Sequence, residues 1–251
     1  MNIKYQILSL SLLCFLSCKN EHHLTKIEGS RLEINDSLNS DSSIDEFIKP
    51  YRENVNKTLD SVLAYSVDTY SKKDGELNTA IGNLMADAVL QESNPVFLSR
   101  TGENIDAVLL NHGGIRAILS KGDVTIRTAY EIMPFENSVV VADLKGKHVK
   151  ELVNYLTFAK RAHPIAGLEV ELDKDYNLKK ALINGAIIED DKTYHIATND
   201  YLYNGGDRMA FFKSSDSLHV LNYKIRNVLI DYFSKKDTLN PKIDNRFIKT
   251  N

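Results

Sequence analysis

Segments with apolar residues at helical intervals and segments of alternating apolar residues succeed one another in this chain without a repeating strand, helix, strand order. That irregular order predicts an α+β fold, a single domain with a mixed β-sheet packed by helices, rather than a doubly wound parallel sheet. Ser43-Ile44-Asp45-Glu46 has capping-box spacing, and Phe47, Tyr51, Val55, Leu59 and Leu63 follow at helical intervals. A helix is expected to start there, with Pro50 tolerated in its early turns. Further helices are expected over about 79–91, shortly before Met133, from Gly146 onward with Val149, Leu152, Val153 and Leu156 on one face, and over 221–235, burying Ile225, Val228, Leu229, Tyr232 and Phe233. Strands are expected at 31–34, in the run ending at Leu110, at 139–142, and between Gly167 and Asn199, where Asn184-Gly185 reads as a turn. No internal repeat is found.

The N-terminus adds a second constraint. Met1-Asn2-Ile3-Lys4 is a short basic start, residues 7–16 are almost continuously apolar, and the chain turns polar at once after Phe15-Leu16-Ser17-Cys18. Ten apolar positions are too few to span a bilayer, so the segment reads as an export leader. The small residue before Cys18 resembles the lipobox of bacterial lipoproteins, in which the cysteine is acylated; ordinary cleavage near Ser17 is the alternative. The expected organisation is a signal peptide over 1–17, lipidation at Cys18, a polar tether with an edge strand over 18–45, and a domain over 46–251. Such a protein is exported and lipid-anchored to the cell envelope, periplasmic or surface-facing. Cys14 and Cys18 are the only cysteines, so the mature part has no disulfide, thiol nucleophile or cysteine-bound zinc. The formal net charge of −3 provides no basic field for nucleic acid.

Known catalytic constellations can be tested by residue type. A P-loop needs a glycine five residues before its Gly-Lys pair, and the position five before Gly146 is Val141. HExxH is absent, Gly82-Asn83 is followed by Leu84 rather than His, and the seven histidines lack metal-ligand spacing. No catalytic residue and no metal ligand are therefore assigned. Three recognition elements remain. Asn111-His112-Gly113-Gly114-Ile115-Arg116 follows the apolar run 107–110, and reads either as a polar-ligand loop whose glycines allow positive φ or as a tight turn with a solvated arginine. Phe135 follows Pro134, which stiffens the turn. Tyr201 and Asp207 lie in the stretch Asn199-Asp200-Tyr201-Leu202-Tyr203-Asn204-Gly205-Gly206-Asp207. Taken singly, Phe135 reads as core, Tyr201 as a strand aromatic and Asp207 as a turn residue.

Jointly, NHGGIR, PFEN and a Gly-Gly-Asp turn after Tyr-His-Ile-Ala-Thr resemble, in that order, the C-terminal, substrate-binding domain of the bacterial and animal 5′-nucleotidase family. Ile81-Gly82-Asn83-Leu84, Ala86-Asp87-Ala88 and Ala142-Asp143-Leu144-Lys145-Gly146 support the resemblance. It implies that Phe135 and Tyr201 sandwich a base, with Tyr201 where the family usually has Phe. Asn111 would bond the base edge, Asp207 the ribose hydroxyls, and Arg116 the phosphate. Gly113, Gly114, Asn137, Asn204, Gly205 and Gly206 would complete the substrate site. Three departures stand out: Asp74-Gly75-Glu76-Leu77 occupies a stretch where an arginine is common, His112 and Arg208 replace usual glycines, and no metallophosphatase domain fits before residue 46. The resemblance therefore implies the nucleoside- or nucleotide-recognition part of a split phosphomonoesterase system in nucleotide catabolism. Divalent metal ions would sit in a separate metallophosphatase chain, no cofactor in this one, and this chain alone would be inactive. A nucleoside-binding lipoprotein without a hydrolase partner, or an enzyme using Asp207 with His195, are the alternatives.

Overall fold

In the computed structural model, which describes residues 24–35, 37–39 and 41–250, the first helix, α1 (Ser42–Leu59), starts one residue before the expected cap. The Asp41 carboxylate accepts both the N–H and the hydroxyl of Ser43 and so satisfies an N-terminal donor of the helix. Leu63, which continues the helical spacing, lies instead in strand β1 (Val62–Ser66). The strand expected at 31–34 is not formed. Leu32 and Ile34 are 81% and 90% exposed, so their alternation has no buried face to stabilise it. The expected leader and Cys18 lie outside the described residues. The chain divides after Ile48, and the second unit, Lys49–Asn251, holds every strand among the described residues.

Thr79 begins α2 (Ala80–Thr101), accepting the Gly82 N–H on its hydroxyl. This helix runs ten residues past its expected end, through Pro95. Proline lacks the N–H that would bond one turn back, but fully buried Phe97, one turn further on, packs against His195 and His219 at 5.2 Å between ring centres. Tertiary burial thus overrides the local breaker. After β2 (Ala107–Leu109), β3 (Gly122–Thr125), α3 (Ile126–Ile132) and β4 (Ser138–Lys145), α4 (Gly146–Ala159) buries Val149, Leu152, Val153 and Leu156, the face expected from its spacing.

Strands β5 (Ile165–Ala166), β6 (Leu168–Leu172), β7 (Leu178–Ile183), β8 (Ala186–Ile187) and β9 (Thr193–Asn199) fill the expected strand region. Asn184 and Gly185 join β7 to β8 with φ of 51° and 77°, the positive values a two-residue hairpin requires. After the short helix α5 (Asp200–Tyr203), β10 (Leu218–Lys224) takes residues expected to begin the last helix, α6 (Ile225–Ser234). Asn222 has φ 54°, which interrupts any helix, and pairing with β4 recruits the segment as a strand. β11 (Thr238–Leu239) and β12 (Phe247–Lys249) close the chain.

Three sheets result: β11-β1-β3, β10-β4-β9-β2-β5 and β12-β6-β7-β8, each with parallel and antiparallel pairs. The central five-stranded sheet separates two cores, because alternate side chains leave opposite faces of a strand. Val108, Val139, Val141 and Ala197 pack with α2 and α6, whereas Leu109, Ala142, Leu144 and Ile196 pack with α4. The ends of β2 and β9, which run parallel, and the loop entering antiparallel β4 meet at one edge of this layer. All three recognition elements emerge there.

Candidate functional site

Asn111 leaves β2 in an extended conformation, and His112–Gly114 forms a single 3₁₀ turn closed by the Gly114 N–H on the Asn111 carbonyl at 2.9 Å. Neither glycine adopts a positive φ, contrary to the expectation from the Gly-Gly pair. What matters is space: a Cβ on Gly114 would stand 3.1 Å from Asn111 Oδ1. The Arg116 N–H bonds to the Ile132 carbonyl at 2.9 Å, joining this loop to the end of α3.

The loop Met133-Pro134-Phe135-Glu136-Asn137 is pinned on both sides of its aromatic residue. Glu136 accepts from Lys224 and, at 2.6 Å, from Arg226, and the Ile225 N–H bonds to the Asn137 carbonyl at 3.0 Å. Those hydrogen bonds, Lys224 first and Arg226 second, hold the Glu136 carboxyl down to about 2. Phe135, between the anchors, is 40% exposed rather than core.

Asn199 caps α5 by accepting the Leu202 N–H at 2.7 Å, and its amide nitrogen lies 3.4 Å from Asn111 Oδ1. Asp200 accepts from Asn137 Nδ2 at 3.2 Å. These two contacts tie the third segment to the other two. Tyr201 sits on the short helix, 47% exposed, not on a strand. Its ring rests on Gly206, where a Cβ would fall 2.4 Å from the ring. Gly205, Asp207 and Arg208 take positive φ of 92°, 49° and 64°, a left-handed turn that places the Asp207 carboxylate 3.1 Å from the Tyr201 hydroxyl. Tyr155 on α4 donates to the Asp207 carbonyl at 3.0 Å.

Together these segments enclose a cleft of about 330 Å³. Asn111, Gly113, Gly114, Arg116, Phe135, Asn137, Tyr201 and Asp207 line it. Asn204, Gly205 and Gly206 do not: Asn204 donates to the Asp200 carbonyl and accepts from Lys213, and the glycines shape the turn. Met133 and Asn199 also line the cleft but were not picked out in the sequence. Both are immediate neighbours of the recognition segments, and an apolar helix end and a capping amide carry no ligand signal of their own. The Arg116 guanidinium lies 5.7 Å from the centre of the Phe135 ring, within cation–π range.

His163 lies beneath the first loop, its Nδ1 3.3 Å from both the His112 nitrogen and the Leu110 carbonyl oxygen. Burial holds it down to about 4, so the ring is neutral near pH 7. His195 is not near Asp207. Its Nδ1 bonds to Asp143 at 2.8 Å, and His219 Nε2 meets the other oxygen of the same carboxylate at 3.0 Å. Among the described residues no group of three or more His, Cys, Asp or Glu side chains is placed to hold a metal ion.

A mixed α+β domain of this topology is the fold of solved 5′-nucleotidase structures. The 5′-nucleotidase precursor of Thermus thermophilus matches with a TM-score of 0.69 at 23% identity, over 82% of this chain and 43% of that one. A putative 5′-nucleotidase from Staphylococcus aureus matches with a TM-score of 0.65 at 16% identity, over 86% and 45%. The chain belongs to the family described as 5′-nucleotidase, C-terminal domain, whose model matches residues 57–214. Among characterised relatives, the trifunctional nucleotide phosphoesterase protein YfkN of Bacillus subtilis is 30% identical over 67% of this chain, and protein UshA of Escherichia coli is 33% identical over 44% of it. The chain spans only 12% and 20% of the length of these two proteins.

Proposed function

We propose that the cleft binds a nucleoside or nucleotide, and that this chain is the recognition part of a nucleotide-hydrolysing system whose metallophosphatase is a separate chain. The reading rests on one observation. Three segments far apart in the sequence are hydrogen-bonded to one another around a cleft that presents two half-exposed aromatic rings, an amide, a carboxylate and a guanidinium. Each group has chemistry left to offer. Asn111 turns Oδ1 toward Asn199 and keeps Nδ2 to donate to a base edge. Asp207 uses one oxygen for the Tyr201 hydroxyl and keeps the other for a sugar hydroxyl. Arg116 makes only one long hydrogen bond, at 3.4 Å to Gly113, and keeps donors for a phosphate.

Stacking contributes about 1–3 kcal/mol per base and each charge-assisted hydrogen bond about 1.5–3 kcal/mol. After the cost of association, dissociation constants from millimolar to roughly ten micromolar are expected. Lipidation at Cys18 would hold the chain on the envelope. A common membrane surface would then raise the effective concentration of two weakly associating chains, which makes a divided enzyme workable.

Calorimetry with nucleosides of each base tests the binding. Phe135→Ala is expected to abolish measurable heat while leaving the melting temperature nearly unchanged. A large loss of stability with binding retained would assign Phe135 to packing. Phosphate release from nucleotides by the purified chain, with and without divalent metal, tests the division of labour: activity only with a co-purified partner supports it, activity of the chain alone refutes it, and binding with no hydrolytic partner identifies a nucleoside-capturing protein.

A further inference from the structure

The Arg116 end of the cleft carries more positive charge than a single phosphate contact needs. Lys72, from the segment before α2, donates to the Ile115 carbonyl at 2.7 Å, between cleft-lining Gly114 and Arg116. His112 Nδ1 lies 3.0 Å from the Ala162 carbonyl oxygen, which draws the exposed residue Arg161 to the same edge. Three loops are thereby stitched together, each bringing a cation. Among the described residues none of Lys72, Arg116 and Arg161 pairs with a carboxylate, whereas Arg127, Arg226 and Arg246 all do. Burial, then repulsion from Arg116, Lys73 and Arg161, lowers the pKa of Lys72, so the three charges already act on one another. In a chain with a formal net charge of −3, a cluster of like charges without counter-ions costs stability unless an anion relieves it.

We propose that Lys72 and Arg161 form an anion subsite beyond Arg116, and that the preferred ligand is a nucleoside di- or triphosphate whose outer phosphates reach it. The proposal rests on the nucleotide reading above and names the ligand class within it. Lys72 keeps two of its three N–H donors, and Arg161 its whole fork, for phosphate oxygens. Asp207, the carboxylate that lines the cleft, is taken up by Tyr201 and serves the sugar end.

The test is calorimetry of the full chain with a nucleoside and with its mono-, di- and triphosphates, at low and at physiological salt. The triphosphate is expected to bind at least about tenfold more tightly than the nucleoside, with an advantage that shrinks as salt rises. In Arg161→Gln, and further in the Lys72→Gln/Arg161→Gln double variant, the ratio of triphosphate to nucleoside affinity falls. Arg161 makes no side-chain hydrogen bond within the described residues, so its variant keeps the loop intact and the measurement clean. Equal affinities for nucleoside and triphosphate in the natural protein, or a ratio unchanged in Arg161→Gln, overturn the subsite and leave the nucleotide reading standing. No binding of any nucleoside or nucleotide overturns both.

Discussion

Arg246 and Arg116 carry the same group beside loops of the same domain, and the protein finishes them differently. The Arg246 guanidinium bonds to both oxygens of Asp87 at 2.7 and 3.1 Å, to Asp244 at 2.7 Å and to the Ile165 carbonyl at 2.8 Å. It locks the segment before β12 onto α2 and has nothing left to give. Arg116 has one long hydrogen bond and the edge of an aromatic ring. A saturated arginine fastens the fold, and an unsaturated one at an open cleft is positioned for something that arrives from outside.

The largest effect that separates fastening from receiving is expected beneath the cleft. An unfolded chain binds a proton at His163 near pH 6.5, and the folded protein only near about 4. The stability this group contributes is therefore fully present above about pH 6.5, and on the order of 3 kcal/mol is lost as pH falls to about 4. Urea denaturation at a series of pH values should show that slope, and His163→Gln should flatten it. An unchanged slope would remove His163 from the structural side of the comparison.

Truncating the two arginines tests the contrast directly. Arg246→Ala leaves two half-exposed carboxylates unpaired and should lower stability by about 2 kcal/mol. Arg116→Ala should change it by no more than about 0.5 kcal/mol. Equal losses in urea denaturation would break the comparison. Gly206→Ala sharpens it: the new methyl displaces the Tyr201 ring, which can swing toward solvent, so stability should fall by only about 1 kcal/mol while nucleoside binding is lost. Retained binding would show that the ring is not part of the receptor.

The spacing of apolar residues made α4 and the hairpin at Asn184-Gly185 legible, because each is decided by local periodicity or by a backbone conformation few residues adopt. Segments 31–34 and 221–224 went the other way. The first has a strand pattern with no buried face, and the second a helical pattern broken by Asn222 and captured by β4. The length of α2 was illegible for a related reason, since nothing near Pro95 reveals that Phe97 will be sealed against two histidines from distant strands. At the cleft, residues with a chemical signature, Asn111, Arg116, Phe135 and Asp207, could be picked out in the sequence, but Met133 and Asn199 could not.

The order of the motifs, read along the chain, was enough to place the protein in its family and to nominate its aromatic, amide and acidic groups, because those groups are rare in such company and their chemistry travels with the residue. Whether a given group is spent or available is a property of its neighbours. Only the folded chain decides that Arg246 is enclosed by two carboxylates, that Gly206 makes room for a ring, and that Lys72 and Arg161 join Arg116 without a counter-charge, since hydrogen bonds and ion pairs depend on distances of a few ångströms between residues the sequence keeps far apart.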